Sequence, residues 1–288
     1  MTREALLVRP EEPVSYGIAN DMMHRLAERR LAGEIPDTII LLEHPPVFTA
    51  GRRARPDELL WSPDELAARG AEVHRIDRGG AFTFHGPGQL VGYPILDLGP
   101  KPDAAAHLRR MEEAVIRTGV DLGVALQRRE DVQTGVWHGD DKVCAIGVRL
   151  MRARVTLHGF ALNCDPDLSW WDGIVACGLP EHGVTSLSRL AGRSVTLAEV
   201  RPLLARHLAD VFDLELVPAP DVAAAMLRPA LVTADQGDPT GTRPAMKRAT
   251  DPTPAMRTGP TDPPGRPDRV GNAALTAWTS PSELTGRS

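Results

Sequence analysis

The stretch RGGAFTFHGPGQLVG at residues 78–92 constrains this chain more than any other, because its residues make poor sense as packing alone. Gly79, Gly80, Gly86, Gly88 and Gly92 are interleaved there with Phe82, Thr83, Phe84 and His85. Glycine weakens a strand, and it marks tight turns or points where a ligand approaches the backbone. Gly-Pro-Gly between AFTFH and QLVGYPILDL predicts a turn joining two strands. Arg78, just ahead of the glycine pair, supplies a fixed cation with a fork of donors. From composition alone, a hairpin that only turns and a backbone that lines a binding site explain the pattern equally well.

Hydrophobic periodicity organises the remainder. Residues 14–31 form an expected helix, with Ile18, Met22 and Leu26 inward, Arg25, Arg29 and Arg30 outward, and Gly33 and Pro36 as stops. The β-branched run at 38–42 suits a buried strand. Arg52, Arg53 and Arg55 read as a solvated turn, with an acidic partner as the next reading. Ser62 and Glu65 make a capping box with Pro63 at the first helical position. Asp103 caps a longer helix whose Leu108, Met111, Val115 and Leu122 face the core. Residues 135–138 and 142–150 read as a hairpin, in which Lys142, Cys144 and Ile146 face one way and Val143, Ala145 and Gly147 the other. A strand at 155–163 is expected to break at Gly159. Thr196 and Glu199 predict a second capping box, before a helix with Val200, Leu203, Leu204, Leu208 and Val211 inside. A last strand is expected at 214–217.

Strands with helices between them, and hairpins in place of strict βαβ units, indicate an α/β fold with a mixed sheet and flanking helices. Beyond residue 217 proline, threonine, aspartate, glycine and arginine dominate, and few large apolar residues remain to offset ordering entropy. The division is therefore a domain at 1–217 and a mostly disordered tail at 218–288.

Several classes are excluded. A net charge of −5 without a clustered basic face argues against nucleic acid. No apolar run approaches the roughly 18 residues of a membrane span. The 3 cysteines lack metal-type pair spacing, so neither a disulfide framework nor a metal site is expected. The opening MTREALLVRPEEP has no signal-peptide pattern, and a cytoplasmic location is expected.

RGGAFTFHGPGQLVGYPILDL resembles the signature of the lipoyl(octanoyl) transferases. LLEHPPVFTAGRR at 41–53, KVCAIGVRL at 142–150, HGFALN at 158–163 and ACGLPEHGVTSL at 176–187 match further blocks of that family in order. The resemblance runs from about residue 15 to about residue 215. It implies the fold shared with biotin and lipoate protein ligases, and transfer of an octanoyl group from octanoyl-acyl carrier protein to a lysine of a lipoyl-accepting protein. Acceptors of that kind are the lipoyl domains of 2-oxoacid dehydrogenases and the glycine cleavage H protein. No cofactor is implied.

By residue type alone, a lone cysteine is more often structural than nucleophilic, and Lys142 passes for an ordinary strand-edge lysine. The resemblance reverses both readings. It places Cys177 as the acyl-accepting thiol and Lys142 beside it. Cys144 reads as a small buried hydrophobe. The resemblance also assigns substrate contacts to Arg78, Gly79, Gly80, Ala81, Phe82, Thr83, Phe84 and His85, to Ala145, Ile146 and Gly147, and to Gly159, Phe160 and Ala161. Whether His85 and His158 act or only support stays open. The competing readings are an ATP-dependent lipoate ligase, a related amidotransferase, and a non-catalytic binder of acylated carrier protein.

Overall fold

The structure, a computed structural model, describes residues 2–129, 134–175 and 182–227. In chain order the elements are β1 (Arg3–Val8), α1 (Tyr16–Leu31), β2 (Asp37–Leu42), β3 (Val47–Ala50), α2 (Pro63–Ala68), β4 (Glu72–Arg75), β5 (Phe82–His85) and β6 (Gln89–Ile95). There follow α3 (Ala104–Asp121), β7 (Gly135–His138), β8 (Asp141–Met151), β9 (Val155–Asn163), β10 (Gly183–Val184), α4 (Leu187–Ala191), α5 (Leu197–Phe212), β11 (Leu214–Pro218) and α6 (Pro220–Leu227). Short 3-10 turns span Pro56–Glu58 and Leu168–Gly173.

The larger sheet runs β10-β8-β9-β6-β2-β1-β11, and β7 also pairs with β8. β1 is parallel to β2 and β11, whereas β6 is antiparallel to β2 and β9, so the sheet is mixed as expected. A smaller sheet has the order β4-β3-β5. β2 lies wholly buried because both faces are covered. Ile39 and Leu41 join a cluster with Met111 and Val115 of α3 and Leu204 and Leu208 of α5. Ile40 and Leu42 join Met23 and Leu26 of α1 on the opposite face. Each such side chain contributes about 1.5–3 kcal/mol of apolar transfer, which is why this run tolerates no polar register.

The helix starts show where local chemistry decides. The Ser62 side chain accepts from the Glu65 backbone N–H, and Glu65 returns a bond to Ser62, completing the expected box. Asp103 accepts from the Ala106 N–H at 2.8 Å. Thr196 accepts from the Glu199 N–H at 3.3 Å, but the Glu199 carboxylate is held by both Arg193 terminal nitrogens at 2.7 and 2.9 Å. Only half of the second box forms, because a bidentate guanidinium outcompetes a backbone N–H. Arg30 is likewise not outward: it donates to Asp37 at 2.7 Å. The chain continues past β11 into α6, where Ala223 is buried in the α1-side cluster. Residues 228–288 of the expected tail lie outside the described residues.

Candidate active site

A cleft of about 560 Å³, counted out to its open mouth, lies where β8, β9 and β6 meet β5 and the loop before it. Arg78, Gly79, Gly80, Ala81, Phe82, Thr83 and His85 line it from the loop and β5. Ala145, Ile146 and Gly147 line it from β8, and Gly159, Phe160 and Ala161 from β9. Phe84 departs from this set. Its ring is turned into an aromatic cluster, stacked on Trp170 with centroids 4.9 Å apart and tilted against Phe48 at 5.2 Å. Thr83 and His85 take the other face of β5, and of the two phenylalanines on Phe84's side only Phe82, at the start of the strand, reaches the cleft.

The glycines allow backbone segments to touch. A Cβ on Gly147 would come 3.0 Å from the Gly79 carbonyl oxygen, and one on Gly51 would come 2.5 Å from that of Gly80. The loop can therefore lie flat between β3 and β8. Arg78 fixes it there: one terminal nitrogen donates to the Thr49 carbonyl at 2.8 Å and hydroxyl at 3.0 Å, the other to the Gly79 carbonyl at 2.9 Å.

From Thr49 a chain of buried polar groups crosses the floor. The Thr49 hydroxyl lies 3.4 Å from His85 Nε2, and His85 Nδ1 donates to Gln89 Oε1 at 2.8 Å. Gln89 Nε2 donates to Asn163 Oδ1 at 2.9 Å, and Asn163 Nδ2 to the Thr185 carbonyl at 3.0 Å. Burial holds the His85 imidazole neutral, well below its ordinary range, with His44 nearby adding to the effect. His158 is also hydrogen-bonded, through Nε2 to Asp77 at 2.7 Å. Burial, reinforced by Arg78, lowers its pKa to about 3, so a neutral ring donates to that carboxylate. The break expected at Gly159 does not occur: β9 runs unbroken over Val155–Asn163, and its one left-handed residue is His158, with φ of 61°. Both histidines line the cleft and both are tied to the scaffold.

Lys142 is buried at 6% exposure, and its ammonium sits 4.5 Å from the centre of the Trp137 ring. The simple alternation predicted for β8 puts Lys142 on the face of Cys144; the structure does not. Val136 pairs with Cys144 but Trp137 pairs with Lys142, so Val143 is the extra residue of a β-bulge. Val143 and Cys144 both enter the core, and Lys142 lines the cleft with Ala145 and Gly147.

Cys177 lies outside the described residues. The chain that follows it returns along Lys142: Gly183 and Val184 pair with Asp141 and Lys142, and the Thr185 N–H donates to the Lys142 carbonyl at 3.0 Å. A second cavity of about 370 Å³ opens there, and it shares Thr83, Lys142, Ala145 and Ala161 with the first. Cys144 and Cys164 are fully buried. Burial pushes the Cys164 thiol up to about 12 and that of Cys144 further, which suits neither to nucleophilic attack at neutral pH.

Sequence reasoning missed Tyr16, Ile76, Val91, Tyr93 and Thr134 in the cleft wall. One signal was available: the chain has only 2 tyrosines, and both are here. Among the described residues no group of three or more His, Cys, Asp or Glu is placed to hold a metal ion, and no helix is long and apolar enough to cross a membrane.

A large mixed sheet with flanking helices is the fold of solved lipoate protein ligases. The archaeal bi-partite lipoate protein ligase of Thermoplasma acidophilum superposes with a TM-score of 0.59 at 17% identity, covering 78% of this chain and 90% of that one; the likeness speaks for the fold. The family described as Lipoyl protein ligase A/B catalytic domain matches residues 15–209, and the chain belongs to it. Within that family, an octanoyltransferase of Chloroflexus aurantiacus is 48% identical over 205 residues, covering 70% of this chain and 92% of the relative. An octanoyltransferase of Acidothermus cellulolyticus is 49% identical over 220 residues, covering 73% and 96%.

Proposed function

We propose that this chain is an acyltransferase that moves an octanoyl group from the thioester of an acyl carrier protein to a lysine of a lipoyl-accepting protein, through a thioester on Cys177. The observation that carries this reading is the slot of small residues ending at Lys142, in a chain nearly half identical to octanoyltransferases. Glycine and alanine leave room for a chain without branches, and each buried methylene contributes about 0.8 kcal/mol, so eight carbons supply several kcal/mol of length selectivity.

The chemistry follows from the groups present. A thiolate attacks the donor carbonyl, the donor sulphur leaves with its electron pair, and one thioester replaces another at little free-energy cost. A lysine amine then attacks the enzyme thioester, forming a C–N bond as the C–S bond breaks, and amide formation drives this half without ATP. Covalent transfer lets two large protein partners be used in turn. An ammonium beside the thiol favours thiolate, the form that attacks. Lys142 is suited to this: the Trp137 face holds the cation in place and no carboxylate lines either cavity among the described residues.

The test is mass spectrometry after incubation with an octanoyl-carrier thioester, with and without a lipoyl-domain acceptor. An octanoyl adduct on Cys177 that disappears when acceptor is added is the expected result. Cys177→Ala should lose both adduct and transfer, while Cys144→Ala and Cys164→Ala retain most of the activity. Normal turnover by folded Cys177→Ala would sink the covalent mechanism, and amide formation only with ATP would make the chain a ligase.

A further inference from the structure

The wall of the second cavity includes a titratable side chain that the mechanism above does not use, His182. His182 lies edge-on to Trp137 with ring centroids 5.4 Å apart, and neither of its ring nitrogens, both shut off from solvent, has a hydrogen-bond partner among the described residues. The histidines of the first cleft behave differently, since His85 and His158 each hold a side-chain partner within 2.8 Å. His107 shares the unpartnered ring but packs on Phe212 beneath α3, away from both cavities. A buried polar group without a partner is destabilising, and such groups concentrate where a ligand supplies the missing bond.

The walls indicate which ligand. Trp137 and Trp171 give flat apolar faces suited to a methylene stem, and Lys142 stands where this cavity joins the acyl cleft. With a cation at the junction and no carboxylate among the described lining residues, a primary ammonium is disfavoured and the uncharged amine is the form admitted. That form is also the nucleophile. We propose that the second cavity admits the primary amine of the acyl acceptor, and that His182 takes the proton the amine sheds as it attacks the thioester. The inference rests on the octanoyl-transfer reading, but not on which sulphur carries the acyl group. In the step, the amine nitrogen bonds to the carbonyl carbon and the C–S bond breaks, its electron pair leaving as thiolate. The N–H proton passes to a ring nitrogen of His182, which afterwards returns it to the thiolate or to solvent.

The experiment compares the parent with His182→Ala, using an octanoyl thioester donor and a lysine-bearing lipoyl domain. Transfer to lysine should fall by about 10²-fold, the scale of a lost general base. Release of the donor thiol without acceptor should be unchanged, which also certifies the fold. Added imidazole should restore transfer, whereas pyrrole, a ring of the same size without a basic nitrogen, should not. Parent-level transfer by His182→Ala overturns the proposal, and so does equal rescue by pyrrole, which would mean the ring merely fills space. If the parent itself transfers no octanoyl group, the functional reading fails and this one with it; parent transfer with an undiminished variant removes the proton acceptor alone.

Discussion

At the scale of the residue, Lys142 is held without a carboxylate partner among the described residues: its ammonium rests 4.5 Å from the Trp137 ring centre, and only 6% of the residue is exposed. A buried cation acts on whatever ionises beside it. Lys142→Met keeps the length and removes the charge, so alkylation of Cys177 by iodoacetamide, in a chain lacking Cys144 and Cys164, should move to higher pH. Transfer at neutral pH should fall by roughly 10-fold or more, because only a few per cent of an unassisted thiol is ionised there. Overlaid alkylation profiles would remove Lys142 from this role. The lysine itself was legible in KVCAIGVRL, and so was the glycine pair that lets the Arg78 loop lie flat. Phe84 was not, since its neighbours Thr83 and His85 reach the cleft from the other face of the same strand.

At the scale of the element, the helices were the most legible part, because each start is written in adjacent residues. Asp103 and Ser62 cap as their positions predict, whereas Glu199 is drawn to Arg193, a preference that the Thr-x-x-Glu pattern does not encode. Pro202 adds a cost in the second turn of α5, where it cannot donate to the Ala198 carbonyl. An interior proline is about 3 kcal/mol less favourable than alanine. Pro202→Ala should therefore stabilise the fold by about 1–3 kcal/mol, each kcal/mol raising Tm by about 2–4 °C. A lower melting temperature in a calorimetric scan would show that the proline serves a packing role in α5. What the elements hid was long-range: His158, with its left-handed φ, holds Asp77, on a loop far away in sequence.

For the whole molecule, buried imidazoles link stability to pH. Burial lowers His44 and His107 to about 4, with the His44 ring donating to the Val14 carbonyl and accepting from Tyr93. An unfolded histidine titrates near 6.5, so between about pH 6.5 and 4 the unfolded chain binds more protons. The stability these rings contribute is complete above that window and is lost as pH falls through it, at up to about 1.4 kcal/mol per pH unit for each ring. Urea midpoints should drop between pH 7 and pH 5, and His107→Phe, which keeps a ring against Phe212, should flatten the slope. A midpoint that does not move would mean these rings take up protons in the folded protein as readily as in the unfolded chain. Composition beyond residue 227 supplies few large apolar side chains, so truncation after residue 232, which retains α6, should leave Tm and the transfer rate nearly unchanged. A large loss of Tm would show that the tail contributes to the core.

The bulge at Val143 has a bearing on how such chains diverge. The side of the sheet that Lys142 occupies is set jointly by two strands, through the number of residues each lays between the same partners. A residue gained in β7 between Val136 and Trp137 would even that count and swing the lysine into the core beside Cys144, with every side chain on β8 still the same. Exchanging Val143 for another apolar residue leaves that count as it is, whereas a one-residue length change in β7 alters it unless β8 changes with it. A gap, more than a substitution, is what would move the lysine from its side of the sheet.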